Sequence, residues 1–386
     1  MEQNKPRKDI IIFGIASFLN DLGHYLVATI WPIFVTQTIG APIVFLGFLD
    51  GFGSALESIS QAVSGFFSDK IKKRKIFISI GYFFPFLSGL LYSVASTSWQ
   101  LILGRSIDRS GKMRDAPRDA IIADETEHNH RATAFGFLRS TDRAGALVGL
   151  ILSAFLILFL SDRQLFFLSA LPALFGSLLI IFFIQESKKY KPVEPTKKIL
   201  FPFSDFNSNL KLFTLTSIIF TLASFSESFY ILAARKQGFS LTLITLLYFG
   251  FVFFSFISAL PFGRLADRIG RRFVLATGYF ALTIVNIMFV LFRSVFFIAF
   301  AFIVYGLVYG ATRGNIKTFI SDLAPAETRA SLIGAFEMII GLTALPASLI
   351  AGLLWQNLNF KAPFLFSIGL SLIATALIFF VKESTD

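Results

Sequence analysis

The chain has 386 residues, 55% of them hydrophobic and 50 of them Phe. That composition excludes a soluble domain with a polar coat and points to a protein dissolved in lipid. The net charge of +11 is then read as basic cytoplasmic loops rather than a nucleic-acid surface, and the absence of Cys excludes disulfides and thiolate chemistry.

The N-terminal MEQNKPRKD precedes an apolar run from Ile10 to about Val35. The run is too long for a signal-peptide core and lacks a small-residue cleavage site, so it is read as an uncleaved first span. Twelve spans fit the hydrophobic runs, at roughly 9–36, 42–69, 74–96, 99–124, 131–160, 164–186, 210–235, 240–267, 271–292, 295–322, 328–356 and 360–381. The polar stretch SKKYKPVEPTKKILFPFSDFNSN predicts a cytoplasmic linker over 187–209. It separates an N-terminal six-helix half, 1–186, from a C-terminal six-helix half, 210–386. The N-terminus, the linker, alternate loops and the C-terminus hold most of the loop Lys and Arg, led by Lys70, Lys72, Lys73, Arg74 and Lys75. The opposite loops hold few: Arg163, Arg235, Lys236, Arg293 and Lys361. Both termini and the linker are therefore predicted cytoplasmic.

Span 4 breaks the apolar pattern. LILGRSIDRSGKMRDAPRDAIIAD, from Leu101 to Asp124, carries charges that cannot face lipid, because one charge at mid-bilayer costs about 3 kcal/mol on insertion scales. At about 100° per residue, Arg105, Asp108, Arg109, Lys112, Asp115 and Asp119 share one face, and Arg114 and Arg118 fall on the far side. Span 5 repeats RSIDR as RSTDR, which puts Arg139, Asp142 and Arg143 on one face as well. Arg105, Arg109, Arg139, Arg143 and Asp142 are the candidate substrate-binding residues. Excess guanidinium favours an anionic or zwitterionic organic solute, since Arg grips carboxylate or phosphate with two parallel hydrogen bonds. Asp21 and His24 lie in span 1, and Asp50 and Glu57 lie seven residues apart on one face of span 2. Asp21, Asp50 and Glu57 have no Arg on their own helices and can pair only across helices, with Arg105, Arg109, Arg139 or Arg143. Burial favours a protonated acid and a nearby guanidinium the ionised one, the balance a proton-coupling site needs. Asp21 ranks first, nearest the middle of its helix. In the C-terminal half, Glu227, Arg313, Lys317 and Glu337 interrupt the spans, among aromatics such as Phe225, Phe229, Tyr230, Tyr248, Tyr305 and Tyr309.

The halves repeat. Gly65-Phe-Phe-Ser-Asp69-Lys-Ile-Lys-Lys73-Arg74 follows span 2, and Gly263-Arg-Leu-Ala-Asp267-Arg-Ile-Gly270-Arg271-Arg272 follows span 8, at an offset of 198 residues. The same offset relates Asp124 to Asp322 and Arg131 to Arg329. Two parallel six-helix repeats are indicated.

Over essentially its whole length the chain resembles the major facilitator superfamily. The shared motif is G-x-x-x-D-x-x-G-R-[RK], complete at Gly263 to Arg272; the first copy has Lys72 where the family has glycine. The resemblance implies a cytoplasmic gate built on Gly65, Asp69 and Arg74, with Asp124 and Arg131, and on Gly263, Asp267, Gly270, Arg271 and Arg272, with Asp322 and Arg329. Asp69 and Asp267 are its gating acids, and Arg74, Arg272, Arg131 and Arg329 their expected partners. Arg105 to Gly111 resembles the family's R-x-x-x-x-x-G pattern, and GKMRDAPRDAIIAD a prokaryotic subgroup. Gly145-Ala-Leu-Val-Gly149 resembles the antiporter motif G-x-x-x-G-P with Leu150 in place of proline; the alternative is a small-residue packing seam.

The expected fold is an all-α membrane protein of twelve transmembrane helices in two six-helix repeats, around a cavity lined mainly by spans 1, 2, 4, 5, 7, 8, 10 and 11. The expected function is secondary active transport of a small organic solute by alternating access, coupled to protons or another ion. The expected setting is a monomer in the lipid bilayer of a prokaryotic inner membrane, without nucleic acid. Export of amphiphilic or cationic compounds by proton antiport is the alternative. A receptor or assembly protein on a transporter scaffold and an intramembrane enzyme are rivals of other classes. Asp124-Glu-Thr-Glu-His128-Asn-His130 holds acids and histidines, but the spacing is loose and the reading is a solvated helix cap. No metal or cofactor is expected, and the chain has no nucleotide-binding glycine loop and no hydrolase or metalloprotease motif.

Overall fold

The computed structural model describes residues 8–127, 130–186, 206–325 and 329–383, and among them it is helical with no strand. Residues 187–205 of the expected linker lie outside the described residues, as do His128 and Asn129 of the acidic loop.

Span 1 is α1 (Lys8–Leu26), bent by 43° into α2 (Trp31–Ile33) and a π-helical turn (Phe34–Thr38). Spans 2 and 3 are α3 (Ile43–Ile71) and α4 (Arg74–Val94). Span 4 is interrupted: α5 (Ser98–Ser110), a 3₁₀ turn (Gly111–Arg114) and α6 (Asp115–Glu125). Spans 5 and 6 are α7 (Arg131–Leu156) and α8 (Asp162–Phe183). Span 7 is α9 (Ser208–Ala223) and α10 (Ser228–Lys236). Spans 8 to 12 are α11 (Leu241–Ile269), α12 (Arg271–Leu291), α13 (Val295–Leu323), α14 (Arg329–Asn357) and α15 (Ala362–Ile378). Eight of these spans are long and apolar enough to cross a membrane, and nine with the bent α1–α2 pair. The remainder are α5–α6 and α7, which carry the charged strip, and α15, of 17 residues. Phe159, Phe182, Phe296 and Phe380 stand on the outside, each about 70% exposed. Large apolar side chains in that position are those of an integral membrane protein.

The chain forms two compact units, residues 1–39 with 56–197 and residues 40–55 with 198–386. The division runs through α3, so its first turns pack within the second unit. There Gly47 and Gly51 let α3 approach the backbone of α14 so closely that a Cβ would come within 2.3 Å of the Ser348 carbonyl and 2.5 Å of Leu345 Cα. This is small-residue packing between helices, the way helices associate where lipid supplies no hydrophobic drive.

In the first unit α1 packs on α7 and α8, and α4 on α5 and α8. Phe13, Ile78, Tyr82, Ile121, Leu138 and Ile180 belong to one core cluster of the unit. Gly145 and Gly149 of α7 lie on α1; a Cβ there would come within 2.2 Å of the Phe18 carbonyl and 2.5 Å of the Leu22 carbonyl. Gly145 to Gly149 is thus a packing seam. The break in span 4 has a covalent cause. Pro117 has no N–H for the carbonyl of Met113, and its ring crowds that carbonyl, so the helix tightens to 3₁₀ just before it. Arg114 then fills the gap from the side, donating to the carbonyls of Gly81 at 3.1 Å and Gly111 at 3.0 Å.

Candidate substrate and gating sites

In the first unit the charged strip forms three layers. In one, Arg109 reaches Glu57 of α3 and Asp108, both at 3.2 Å, and Arg105 stands 3.9 Å from Asp108. The Arg105 guanidinium lies 4.7 Å over the Trp31 ring. The cross-helix pairing expected of Glu57 is thus made with Arg109.

In the next layer Asp21 has Lys112, Asp142 and Arg143 as electrostatic neighbours. His24, one turn on, faces Arg105, Asp108, Arg109 and Lys112. Lys112, Arg139 and Arg143 have no ion pair within 4 Å among the described residues, whereas Arg105, Arg109, Arg114 and Arg118 do. Arg139 is exposed, while Asp142, Arg143 and Lys112 are half-buried.

The third layer was not expected. Arg114 and Arg118, assigned to the far side of the helix, are buried, 3% and 8% exposed, as deeply as Arg105 at 8% or more so. Arg118 pairs with Asp115 at 3.4 Å and Asp119 at 3.1 Å, and donates to Ser17 and Tyr82, whose hydroxyls bond each other at 2.7 Å. Arg114 sits 4.8 Å over the Tyr82 ring. Asp115 also accepts from Gln61 of α3 at 3.4 Å. A straight-helix projection carries residues past Gly111 on the wrong phase, because a 3₁₀ turn advances about 120° per residue. Pro117 was the available signal.

Asp50, expected opposite an arginine, lies in the second unit. It is 4% exposed and accepts from the Ser226 hydroxyl at 2.6 Å.

The two motif loops each make an arginine bridge. In the first, Arg74 donates to Asp69 at 2.9 Å and Asp124 at 2.6 Å. In the second, Arg271 bridges Asp267, at 3.6 Å, and Asp322. Sequence alignment paired Arg74 with Arg272; the structure pairs it with Arg271. The reason is the connection. Two residues, Lys72 and Lys73, join α3 to α4, and Gly270 alone joins α11 to α12. The 198-residue offset between α3 and α11 therefore becomes 197 between α4 and α12. Arg272 instead gives its backbone N–H to Glu383 at 2.5 Å and its guanidinium to the Phe379 carbonyl at 3.3 Å. Glu186 does the same in the first unit, accepting from the backbone of Arg74 at 2.8 Å and Lys75 at 3.1 Å. These two glutamates, which cap exposed helix N-termini, were missed. Their signal was the Glu-Ser pair after spans 6 and 12, again 197 residues apart. Gly65 lies close to Ala116 of α6, its Cβ position 3.4 Å away, while Gly263 meets nothing within 4 Å. Arg131 donates to the Ala123 carbonyl at 3.1 Å, next to Asp124, and Arg329 opens α14 exposed.

In the second unit, span 7 is unwound at Ser224 to Glu227. Around that break stand Tyr230, Tyr248, Tyr305 and Tyr309, with Tyr248 donating to Glu227 at 2.5 Å.

Comparison with known proteins fits this geometry. A sequence model of the Major Facilitator Superfamily matches residues 13–234 and 212–386. The chain belongs to the major facilitator superfamily. It is 35% identical to the uncharacterized MFS-type transporter MJ1317 of Methanocaldococcus jannaschii, covering 97% of this chain and 95% of that protein. It is 24% identical to the multi-drug resistance efflux pump PmrA of Streptococcus pneumoniae, over 86% of this chain and 85% of the pump. In fold it is similar to the nucleoside transporter NupG, with a TM-score of 0.81 at 14% identity over 97% of this chain and 99% of that one. It is also similar to a bacterial homolog of the human lysosomal transporter Spinster, with a TM-score of 0.78 at 13% identity over 96% of both chains. The facilitator fold is two six-helix repeats, and the chain is a membrane transporter rather than an enzyme.

Proposed function

We propose that this facilitator carries a small organic solute with an anionic group by alternating access, with Lys112, Arg143 and Arg139 as its anion-binding groups and Asp21 as its proton-coupling acid. One observation carries the reading: these three cations lack an ion-pair partner among the described residues, and two of them neighbour Asp21. An unpaired charge in a membrane span is costly and is retained for a ligand. When a substrate anion occupies Lys112 and Arg143, Asp21 loses their support and takes up a proton, so proton and solute move together. Arg105 and Arg109, already paired, position this layer. The protein acts as a monomer in a prokaryotic inner membrane, both termini cytoplasmic. Similarity to the efflux pump favours a second reading, proton-driven export, in which the acids meet a cationic compound.

The test joins a thermal-shift screen of organic anions on the purified protein to uptake into proteoliposomes. Arg143→Ala should stay folded and lose anion binding; full binding by that variant overturns the site. Asp21→Asn should lose pH-driven accumulation yet still exchange solute across a membrane without a gradient. Retained pH-driven accumulation would move the coupling site elsewhere.

A further inference from the structure

The turn from α3 to α4 carries Lys70, Lys72, Lys73, Arg74 and Lys75 in close succession. Arg74 is buried and bridges Asp69 and Asp124, and Glu186 accepts the backbone N–H groups of Arg74 and Lys75. The carboxylates at this turn are therefore already engaged. Lys70, Lys73 and Lys75 have no ion pair within 4 Å among the described residues. Lys70, Lys72 and Lys73 are exposed and Lys75 is half-buried. The gate uses Arg74 and leaves the four lysines without a role.

Two observations point to an amphiphilic anion. The first is a departure from the repeat. Lys72 holds a φ of 56° where the second motif loop has Gly270, and Lys73 is the extra residue that the second loop lacks. Glycine would relax that backbone, so a side chain is kept there against strain. Both departures add a lysine. The second observation is apolar. Val63, Phe67 and Ile71 stand four residues apart on α3, and Ile76 and Ile80 four apart on α4, all between 40% and 52% exposed. Both rows end at the lysine turn. A free phosphate has no use for such rows, whereas acyl chains do.

We propose that the α3–α4 turn is a binding site for an anionic phospholipid, with Lys70, Lys72, Lys73 and Lys75 around its phosphate and its acyl chains along the two apolar rows. Each ammonium is a compact charge with three N–H donors on a flexible stem, suited to a phosphate that approaches from the lipid side. Clusters of four or more basic residues beside a span attract anionic headgroups in this way. The site lies wholly in the first unit apart from the transport path, and it does not depend on which solute is carried.

Native mass spectrometry of the detergent-solubilised protein, titrated with phosphatidylglycerol or phosphatidylcholine, reads the Kd of the first bound lipid. Phosphatidylglycerol should bind about tenfold more tightly. Lys70→Gln, Lys73→Gln and Lys75→Gln should each weaken it about fivefold and leave phosphatidylcholine unchanged. Arg268→Gln, at the place of Lys70 in the second loop, should leave both unchanged. Glycerophosphoglycerol, the same headgroup without acyl chains, should not displace the bound lipid at equal concentration. Lys72→Gly supplies a separate readout: its gain in melting temperature over wild type should shrink when phosphatidylglycerol is added and persist with phosphatidylcholine. Equal wild-type affinity for the two lipids overturns the site, and needs no variant to fold. Full phosphatidylglycerol preference in the lysine variants, or an equal loss in Arg268→Gln, also overturns it, the latter by showing a diffuse positive surface. Displacement by glycerophosphoglycerol would make the ligand a free phosphate and refute the lipid.

Discussion

Lys72 and Gly270 occupy one place in the two motif loops, and both have a positive φ, 56° and 95°. Glycine adopts that region freely, whereas a side chain there costs about 1–2 kcal/mol. Lys72→Gly should therefore raise the melting temperature of the detergent-solubilised protein; an unchanged or lowered value would show that the lysine side chain contributes more than its strain. The neighbouring arginines are unequal. Arg271 bridges two carboxylates, while Arg272 meets backbone carbonyl and a capped N–H. Arg271→Ala should slow transport several-fold more than Arg272→Ala, with a shift in conformational equilibrium of about 1–3 kcal/mol. Between the acids, Asp322→Asn should do more than Asp267→Asn, because the Asp267 side chain is 68% exposed and an exposed pair is worth about 0–1 kcal/mol. Flux in proteoliposomes reads both rankings, and the reverse order would return the bridge to Arg272.

Among the elements, α1 and α7 are held by Gly145 and Gly149, where backbone meets backbone. Gly145→Leu has no room, and the seam would have to open. Overpacking of this kind costs about 1–3 kcal/mol, so the variant should melt lower and expose α1 to faster hydrogen exchange. Wild-type melting and exchange would show that the seam is loose. The α5–α6 break matters in another way. It turns Arg114 and Arg118 inward, onto Tyr82 and Ser17, and leaves Lys112 beside Asp21. One proline thereby separates the arginines packed inside the first unit from Lys112, which has no ion pair within 4 Å among the described residues.

For the whole molecule, the Lys/Arg asymmetry predicts that reporter fusions at Lys198 are cytoplasmic and at Gly238 external. Both on one side would refute the twelve-span order. The division between the two units runs through α3. Its first turns are tied to the second unit by Gly47, Gly51 and the Asp50–Ser226 hydrogen bond, and its later turns to the first by Glu57–Arg109 and Gln61–Asp115. Ser226→Ala removes a bond to a buried carboxylate, a loss of about 1–3 kcal/mol.

Composition, span length and the 198-residue repeat were enough to establish the class of protein, its two repeats and its family, because lipid imposes helix length and polarity on the sequence directly. The positions of Asp69, Asp124, Asp267 and Asp322 were also legible, since the repeat marks them twice. What only the tertiary structure decided was phase and partnership. A straight 3.6-residue helix misplaced Arg114 and Arg118, because Pro117 alters the turn ahead of it. A one-residue difference in loop length moved the second bridge from Arg272 to Arg271. Asp50 met Ser226, and Glu186 and Glu383 became helix caps, through contacts between residues more than a hundred positions apart. Pairing of that range depends on how helices cross, and the pattern along any one helix does not contain it.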